Sequence, residues 1–408
     1  MDRIAPLKNP VQEYAWGSRS AIQALLGLPV PGERPAAELW LGAHPKAPSR
    51  VFVDGEWRSL EKLIERNPVS VLGREVAERF RGRLPFLFKV LAADRPLSIQ
   101  VHPDLEQARQ GFERENRQGI PLDAPERDYR DPSHKPELLC ALTPFEALKG
   151  FRSPGDIVAL FAGMELRSLS RELEGLKTGQ DGSALRAFFI SLLSLDDDSR
   201  VRVIDEAAQK AARLLGKDRA YFWMLELSRE YPGDIWVLSP LILNLMELKP
   251  GEAMYVPAGE LHSYLRGVGV ELMASSDNVL RGGLTSKHVD IPELLRVVDF
   301  QVEPVHKIRP SPGKVAGKMV YPTPAEEFQL SVIRISPEEP FQSPGERCVE
   351  IMICMEGEAR VRGGEDEPPV LCRKGDSVIV PASVGPYRIE GKATLYSAAV
   401  RRIEAKPA

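Results

Sequence analysis

Alternation of apolar and polar side chains is clearest at Leu97-Ser98-Ile99-Gln100-Val101-His102-Pro103. With the period of two of an extended chain, Leu97, Ile99 and Val101 fall on one face and Ser98, Gln100 and His102 on the other. The pattern predicts a half-buried strand whose polar face puts an amide and an imidazole within reach of one cation. Leu39–Gly42 and Pro85–Leu91 read as further strands, whereas Ser59–Glu65, Val71–Phe80 and Pro103–Arg117 have helical spacing. Ser59 is placed as an N-cap, and Pro103-Asp104 puts a proline and an acid in a first turn.

From Ser153 to about Pro232 the period changes. Ser153-Pro154-Gly155-Asp156 starts a helix, and Ala184–Leu195, Arg200–Leu215 and Asp218–Arg229 carry apolar residues at three and four spacing. Strands are expected to resume at Ile235-Trp236-Val237-Leu238, so the helical block reads as an insertion into a β domain. The aromatic group Tyr221-Phe222-Trp223 is read as core packing. Pro310-Ser311-Pro312-Gly313, with Lys307, Arg309, Lys314 and Lys318 around it, reads as a solvated linker or surface loop, and short strands follow over Glu327–Ala399. The expected organisation is residues 1-152 with 233-310, an insertion over 153-232, and a C-terminal unit over 311-408.

Composition narrows the class. At 408 residues the chain is too long for one ordinary core, and 43% apolar with 27% charged residues suits a soluble globular protein. A net charge of -4 gives no global basic field for nucleic acid or membrane, so an anionic ligand must be met by a local cluster of cations. No apolar run approaches the ~18 residues of a membrane helix, and no signal-peptide core follows Met1-Asp2-Arg3, so the cytoplasm is expected. Cys140, Cys348, Cys354 and Cys372 make no CxxC pair and are expected to be reduced core residues.

Gly251-Glu-Ala-Met-Tyr-Val-Pro257-Ala-Gly259-Glu-Leu-His262 has the spacing G-x5-P-x-G-x2-H. Read physically, this is a turn glycine, a strand, a Pro-Gly turn that re-aims the backbone, and a His delivered into a site. The stretch resembles the second sequence motif of the cupin superfamily, antiparallel jelly-roll barrels that hold a metal in the barrel mouth. Gly375-Asp-Ser-Val-Ile-Val-Pro381 repeats G-x5-P, and Glu350 to Gly357 repeats the E-x6-G spacing of the first cupin motif, but the neighbours of Pro386 supply no His. The fold class implied is mainly β with a helical insertion: two cupin barrels, the N-terminal one metal-binding and the C-terminal one metal-free, plus an all-α insert.

Asp131-Pro132-Ser133-His134-Lys135-Pro136-Glu137-Leu138 brings an acid to the start of a further strand candidate. Gln100, His102, Glu137 and His262 would then make four ligands. Two imidazoles, one carboxylate and one amide oxygen neutralise only one charge of a divalent ion, leaving a Lewis acid with room for water or substrate. Zinc, one per chain, is the first expectation. The amide oxygen is harder than the ligands of structural zinc sites, which leaves manganese, iron and cobalt open.

The whole constellation resembles the type I mannose-6-phosphate isomerase (phosphomannose isomerase) family, in a long form with a helical insertion. The matching pieces are Gln100-Val101-His102-Pro103-Asp104, His134-Lys135-Pro136-Glu137, Val256 to Tyr264 and Ser275 to Lys287, with Asn9 to Gly17 and Glu38 to Pro45 nearer the start. The resemblance implies a metal-dependent aldose-ketose isomerase that interconverts mannose 6-phosphate and fructose 6-phosphate through a cis-enediolate. Its partner would be a small phosphosugar, with no nucleic acid and no membrane; a monomer is compatible with the sequence.

The residues point the same way. Arg281 and Lys287, on the Gly-rich segment Gly282-Gly283, are candidates for a phosphate clamp, the glycines letting backbone approach the ligand; Ser98 shares the polar face of the Gln100 strand. Moving a proton between C1 and C2 needs a cation for the developing oxyanion and an acid/base near neutral pKa. Candidates are Lys135, beside the ligand segment, Glu271, returned by a hairpin at Gly267-Val268-Gly269, and His134 and Asp277 for ring opening. Tyr14, Trp16 and Tyr264 are candidate pocket walls. The competing classes are an iron-dependent cupin dioxygenase, against which Gln100 and the Arg281/Lys287 pair argue, and a non-catalytic sugar-binding cupin, against which Lys135 argues.

Overall fold

The computed structural model describes residues 1–179, 182–364 and 367–401. The chain forms two antiparallel sheets and a helical middle region. The first sheet has ten strands, in the order Leu243–Leu248, Phe145–Phe151, His262–Ala274, Phe86–Ala93, Glu38–Gly42 and Val11–Gln12, with Ile99–Val101, Glu137–Ala141, Ala253–Val256 and Leu280–Gly283 paired beside that path. Phe86–Ala93 and Glu137–Ala141 are buried at every position, as befits strands covered on both faces.

The strand His262–Ala274 organises this sheet. Up to Arg266 it pairs with Ile99–Val101 and Phe145–Phe151; from Gly267 onward it pairs with Phe86–Ala93, and from Gly269 with Glu137–Ala141. The change of partners follows a register shift between Tyr264 and Arg266, and Gly267 at φ 133° comes so close to Phe145 that a Cβ would lie 2.6 Å from its ring. The hairpin expected at Gly267-Val268-Gly269 therefore does not form: the glycines bend one continuous strand. Because the shift inserts one residue, His262 and Tyr264 before it and Glu271 after it can all face the same cavity.

The middle region holds helices Pro154–Met164, Ser170–Thr178, Gly182–Leu193, Asp197–Ala211 and Arg219–Glu230, three of them capped by Ser153, Asp196 and Asp218. Phe161, Phe189, Trp223 and Leu227 pack into one core with Ile99 and Val101 of the first sheet and with Leu261, just before the His262 strand. The strand expected at Ile235–Leu238 is a 3-10 turn followed by the short helix Ser239–Ile242, and pairing begins only at Leu243. Asp234 accepts from the Trp236 N–H and starts the turn, and a short apolar run does not by itself distinguish strand from buried helix. Val71–Phe80 likewise divides, into Pro68–Leu72 and Arg74–Arg79, at Gly73 with φ 93°. Leu60–Arg66 and Leu105–Arg117 form as expected, the latter behind an Asp104/Gln107 capping box.

The second sheet has eleven strands. It does not respect the boundary expected near residue 311, since Ala5–Lys8 pairs with Ser377–Val380 and carries Arg50–Val53 and Glu56–Ser59 with it. One core, including Phe88, Val270, Phe328 and Ile351, joins the two sheets. The segment around Pro310 lies at the surface, as one of the two alternatives expected, but it is ordered by pairing: Ser311–Pro312 is an exposed edge strand, Lys307 and Arg309 pair with Glu252 at 3.7 and 2.8 Å, and Lys318 pairs with Glu350 at 2.9 Å. The sequence repeat is also a backbone repeat. Gly251 (φ 86°) and Gly375 (φ 89°) each precede a four-residue strand, Ala253–Val256 and Ser377–Val380, that ends at a proline. All four cysteines are free and buried, and no described helix is long and apolar enough to cross a membrane.

Candidate metal centre

Three strands deliver the ligand-type residues. His262 opens the long strand, directly opposite Gln100, and Gln100 in turn lies opposite Arg281. Residues paired in this way project from the same face, so Arg281, Gln100 and His262 form a row across three strands. Glu137 begins its strand opposite Met273 and Val256, and His102 follows the Gln100 strand.

His102, Glu137 and His262 are all buried, with donor atoms within 4.8 Å of one another. His102 Nε2 is 3.2 Å from Glu137 Oε1 and His262 Nε2 is 3.4 Å from Glu137 Oε2. The opposite ring nitrogens face backbone carbonyls: His102 Nδ1 is 2.8 Å from Asn278 O and His262 Nδ1 is 3.1 Å from Glu260 O. Each Nδ1 must therefore donate, leaving each Nε2 as a lone pair aimed at the carboxylate. His102 Nε2 is buried without a hydrogen-bond partner. Lone pairs facing a carboxylate repel unless a cation lies between them, so the donor set fits a divalent metal. Gln100 fits as well, because its Nε2 donates to Ser98 Oγ at 3.3 Å and so identifies the other end of the amide as the oxygen.

Electrostatics keep these groups in ligand form. Burial, reinforced by Lys135, lowers the His102 imidazolium to about 4 against the pull of Glu137. Burial would raise Glu137, but Lys135 and His102 together hold it well below the usual carboxylate range. Lys135 Nζ lies 3.1 Å from Glu137 Oε1.

A cavity of about 100 Å³ opens beside the three residues, lined among others by Gln100, Lys135, Glu38, Lys89, Tyr264 and Glu271. Lys89 bridges Glu271 at 2.9 Å and Glu38 at 3.4 Å, and Glu38 also accepts from Trp40 Nε1 at 2.7 Å. Tyr264 OH donates to Glu271 Oε1 at 2.8 Å and stands 3.3 Å from Glu137 Oε2. Burial raises the Glu271 carboxyl above its ordinary value despite Lys89. Burial alone would lower Lys89, yet Glu271 and Glu38 raise it and keep it charged.

His134, Asp277, Tyr14, Trp16, Arg281 and Lys287 are not among the residues that line this cavity. His134 Nε2 is 2.6 Å from Glu327 Oε1, which ties the Lys135 loop to the C-terminal segment. Asp277 pairs with Lys46 at 2.9 Å and His44 at 3.4 Å, and these two partners overcome burial to hold its carboxyl well below the usual range. Tyr14 stacks on Trp16 at 5.8 Å, and Trp16 packs against the core that contains Tyr264 and Leu97. Arg281 and Lys287 meet a third cation, Arg130, and burial together with the neighbouring cations lowers both. The glycine pair beside Arg281 has a packing role: a Cβ on Gly283 would lie 1.9 Å from Trp236 Cδ1, and one on Gly282 would lie 3.2 Å from Ile99.

Sequence reasoning missed four residues. Lys89 had a visible signal, a lone charge in an otherwise apolar strand, and Glu38 abuts another strand candidate. Arg130 had no signal. Asn278, inside a stretch quoted for its family likeness, turns out to be a keystone: Oδ1 accepts from the N–H groups of Arg130 (2.7 Å) and Asp131 (3.2 Å), Nδ2 donates to the carbonyls of Asp131 (2.7 Å) and Ser133 (2.8 Å), and its own carbonyl orients His102.

Comparison with known proteins places this architecture. Residues 4–154 match the model of the phosphomannose isomerase type I catalytic domain, and residues 318–400 match that of the mannose-6-phosphate isomerase cupin domain. The mannose-6-phosphate isomerase of Salmonella typhimurium is 42% identical over 390 residues, covering 95% of this chain and 97% of that protein. The human mannose-6-phosphate isomerase is 34% identical over 348 residues, covering 80% and 77%. Among solved structures, a point variant of the Salmonella typhimurium phosphomannose isomerase superposes with a TM-score of 0.90 at 38% identity, covering 98% of this chain and all of that one. A zinc-bound mannose 6-phosphate isomerase superposes with a TM-score of 0.88 at 40% identity and the same coverage of this chain. With likeness at this level across nearly its whole length, the chain belongs to the type I phosphomannose isomerase family.

Proposed function

We propose that the protein is a zinc-dependent mannose-6-phosphate isomerase, interconverting mannose 6-phosphate and fructose 6-phosphate at the His102/Glu137/His262 cavity. The observation that carries this reading is the pair of Nε2 lone pairs converging on one buried carboxylate. Gln100 is the fourth ligand. Zinc, when bound, supplies Lewis acidity for the substrate oxygen that gains charge as the carbon-bound proton leaves.

The protein's own groups do the rest. Lys135, in its unprotonated form, removes the proton from C2 and returns it to C1 of the resulting enediolate while the hydroxyl proton passes from O2 to O1; its Nζ stands 3.1 Å from a ligand oxygen inside the cavity. Glu271, with both oxygens engaged by Lys89 and Tyr264, is a positioning residue that fixes the Tyr264 hydroxyl. Arg281, two strand spacings or about 10 Å from His262, holds the phosphate together with Lys287 and Arg130, so that the sugar carbons lie over the metal. Ser98 fixes the Gln100 amide. His134 is committed to Glu327 and Asp277 to His44 and Lys46, and a carboxyl held as low as that of Asp277 is a weak base.

The repeated glycine, strand and proline units support two jelly-roll barrels. The C-terminal barrel is built from the strands between Ser311 and Ala399 and completed by Ala5–Lys8 and the Arg50–Ser59 hairpin. The experiment is a coupled assay of mannose 6-phosphate conversion before chelation, after chelation and after zinc is restored. Activity that disappears and returns supports the reading, and turnover indifferent to chelation overturns it.

A further inference from the structure

We propose that Asp128, His288 and Asp290 form a second, weaker site for a divalent transition-metal ion, at the edge of the Arg281/Lys287/Arg130 cluster. One donor atom from each lies within 4.8 Å of the other two, an arrangement found in one other group among the described residues, the central one. Asp128 carries the argument. It is 7% exposed and its carboxylate takes no hydrogen bond and no ion pair among the described residues, while its oxygens still reach solvent. A carboxylate held mostly out of water and left without a protein cation is satisfied by water or by a metal ion.

The neighbours deepen the vacancy in charge. Glu115, Asp290 and Glu293 surround Asp128, opposed by Arg281. Two of these acids are committed elsewhere: Glu115 to Arg127 at 2.8 Å, and Glu293 to Arg114 at 2.9 Å and the Tyr129 hydroxyl at 2.7 Å. Asp290 accepts from the Glu293 N–H with Oδ1 and keeps Oδ2. His288 is exposed and brings an imidazole nitrogen as the third donor. Two carboxylate oxygens and one imidazole, open to water on one side, suit manganese or zinc. An exposed third donor makes the site weaker than the buried central one.

An ion here would cancel the charge of Asp128, the acid acting on Arg281, and add positive charge beside the bound phosphate. Ion and phosphate should therefore tighten each other reciprocally. This coupling rests on the phosphate-clamp reading; the ion site does not.

The test titrates zinc-loaded protein with Mn2+, following free Mn2+ by electron paramagnetic resonance and measuring zinc content afterwards. One Mn2+ per chain beyond the resident zinc is expected, weakened by about tenfold or more in His288→Ala and Asp128→Asn with zinc retained. Absence of saturable binding, one-for-one displacement of zinc, or equal binding in wild type and the exposed-site variant His288→Ala overturns the site. The titration is repeated with inorganic phosphate. Tighter Mn2+ binding that is lost in Arg281→Ala supports the coupling, whereas unchanged Mn2+ binding overturns the coupling and the clamp while leaving the ion site standing.

Discussion

Replacing Lys89 by Met keeps the length of the side chain and removes its charge, stranding Glu271 and Glu38. Lys89, Glu271 and Glu38 are each less than a tenth exposed, and the ammonium sits 2.9 and 3.4 Å from the two carboxylates. Breaking a buried pair by removing one partner costs about 3–5 kcal/mol, and that is the expected loss of stability near neutral pH. The loss should depend on pH in a definite sense. Burial already raises the Glu271 carboxyl, and without Lys89 it rises further, so the folded variant keeps a proton to higher pH than the unfolded chain, which releases it near ~4.3. Proton uptake on folding makes stability fall as pH rises, by at most about 1.4 kcal/mol per pH unit for one group. The deficit of Lys89→Met relative to wild type is therefore largest at neutral and mildly alkaline pH and shrinks as pH falls toward ~4, where Glu271 is protonated in both states. Urea unfolding of the zinc-saturated proteins at about pH 5 and about pH 8 reads this directly. A deficit below about 1 kcal/mol, or one equal at the two pH values, would refute the reasoning, because both results mean that Lys89 does not neutralise these carboxylates.

Arg281→Ala should keep its zinc and lose about 2–5 kcal/mol of transition-state stabilisation on mannose 6-phosphate, with little effect on residual turnover of mannose; equal proportional losses on both substrates would move the clamp elsewhere. Lys287→Ala should lose less, since a point charge on an exposed flexible stem is more readily replaced by water. In Lys135→Met, kcat should fall by about two to four orders of magnitude while zinc content and KM stay near wild type, and an unaltered kcat removes Lys135 as the proton carrier. Asn278→Ala should weaken zinc binding by about 10–100-fold by releasing the loop and carbonyl that orient His102, and competition with a chromophoric chelator measures it.

How much could be read from the chain depended on whether a feature is local. Alternation at Leu97–Val101 and the G-x5-P units are written within a dozen residues, and the strands and turns they imply are present. Ile235–Leu238 failed because four consecutive apolar side chains are equally at home in a strand or a buried turn, and the deciding partner, Asp234, acts by capping. The hairpin at Gly267 failed for a different reason: glycines that permit a turn also permit a close approach, here to Phe145, and only the packed neighbour decides between them. Pairing of Ala5–Lys8 with Ser377–Val380 links the two ends of the chain, and no window of sequence contains it. The same limit applies at the site. Ligand-type residues announce themselves by chemistry, but Asn278 and Arg130 work through backbone and charge placed by the fold.

The central claim is that isomerase activity resides in one zinc held by Gln100, His102, Glu137 and His262. Its most direct test measures, on the same desalted preparations, tightly held zinc per chain and the rate of mannose 6-phosphate conversion for wild type and His262→Ala. About one retained zinc per wild-type chain, with zinc and turnover lost together in His262→Ala while the protein stays folded, is the predicted result. A His262→Ala protein that keeps wild-type zinc content, or one that loses its zinc and still turns over substrate at the wild-type rate, would contradict it.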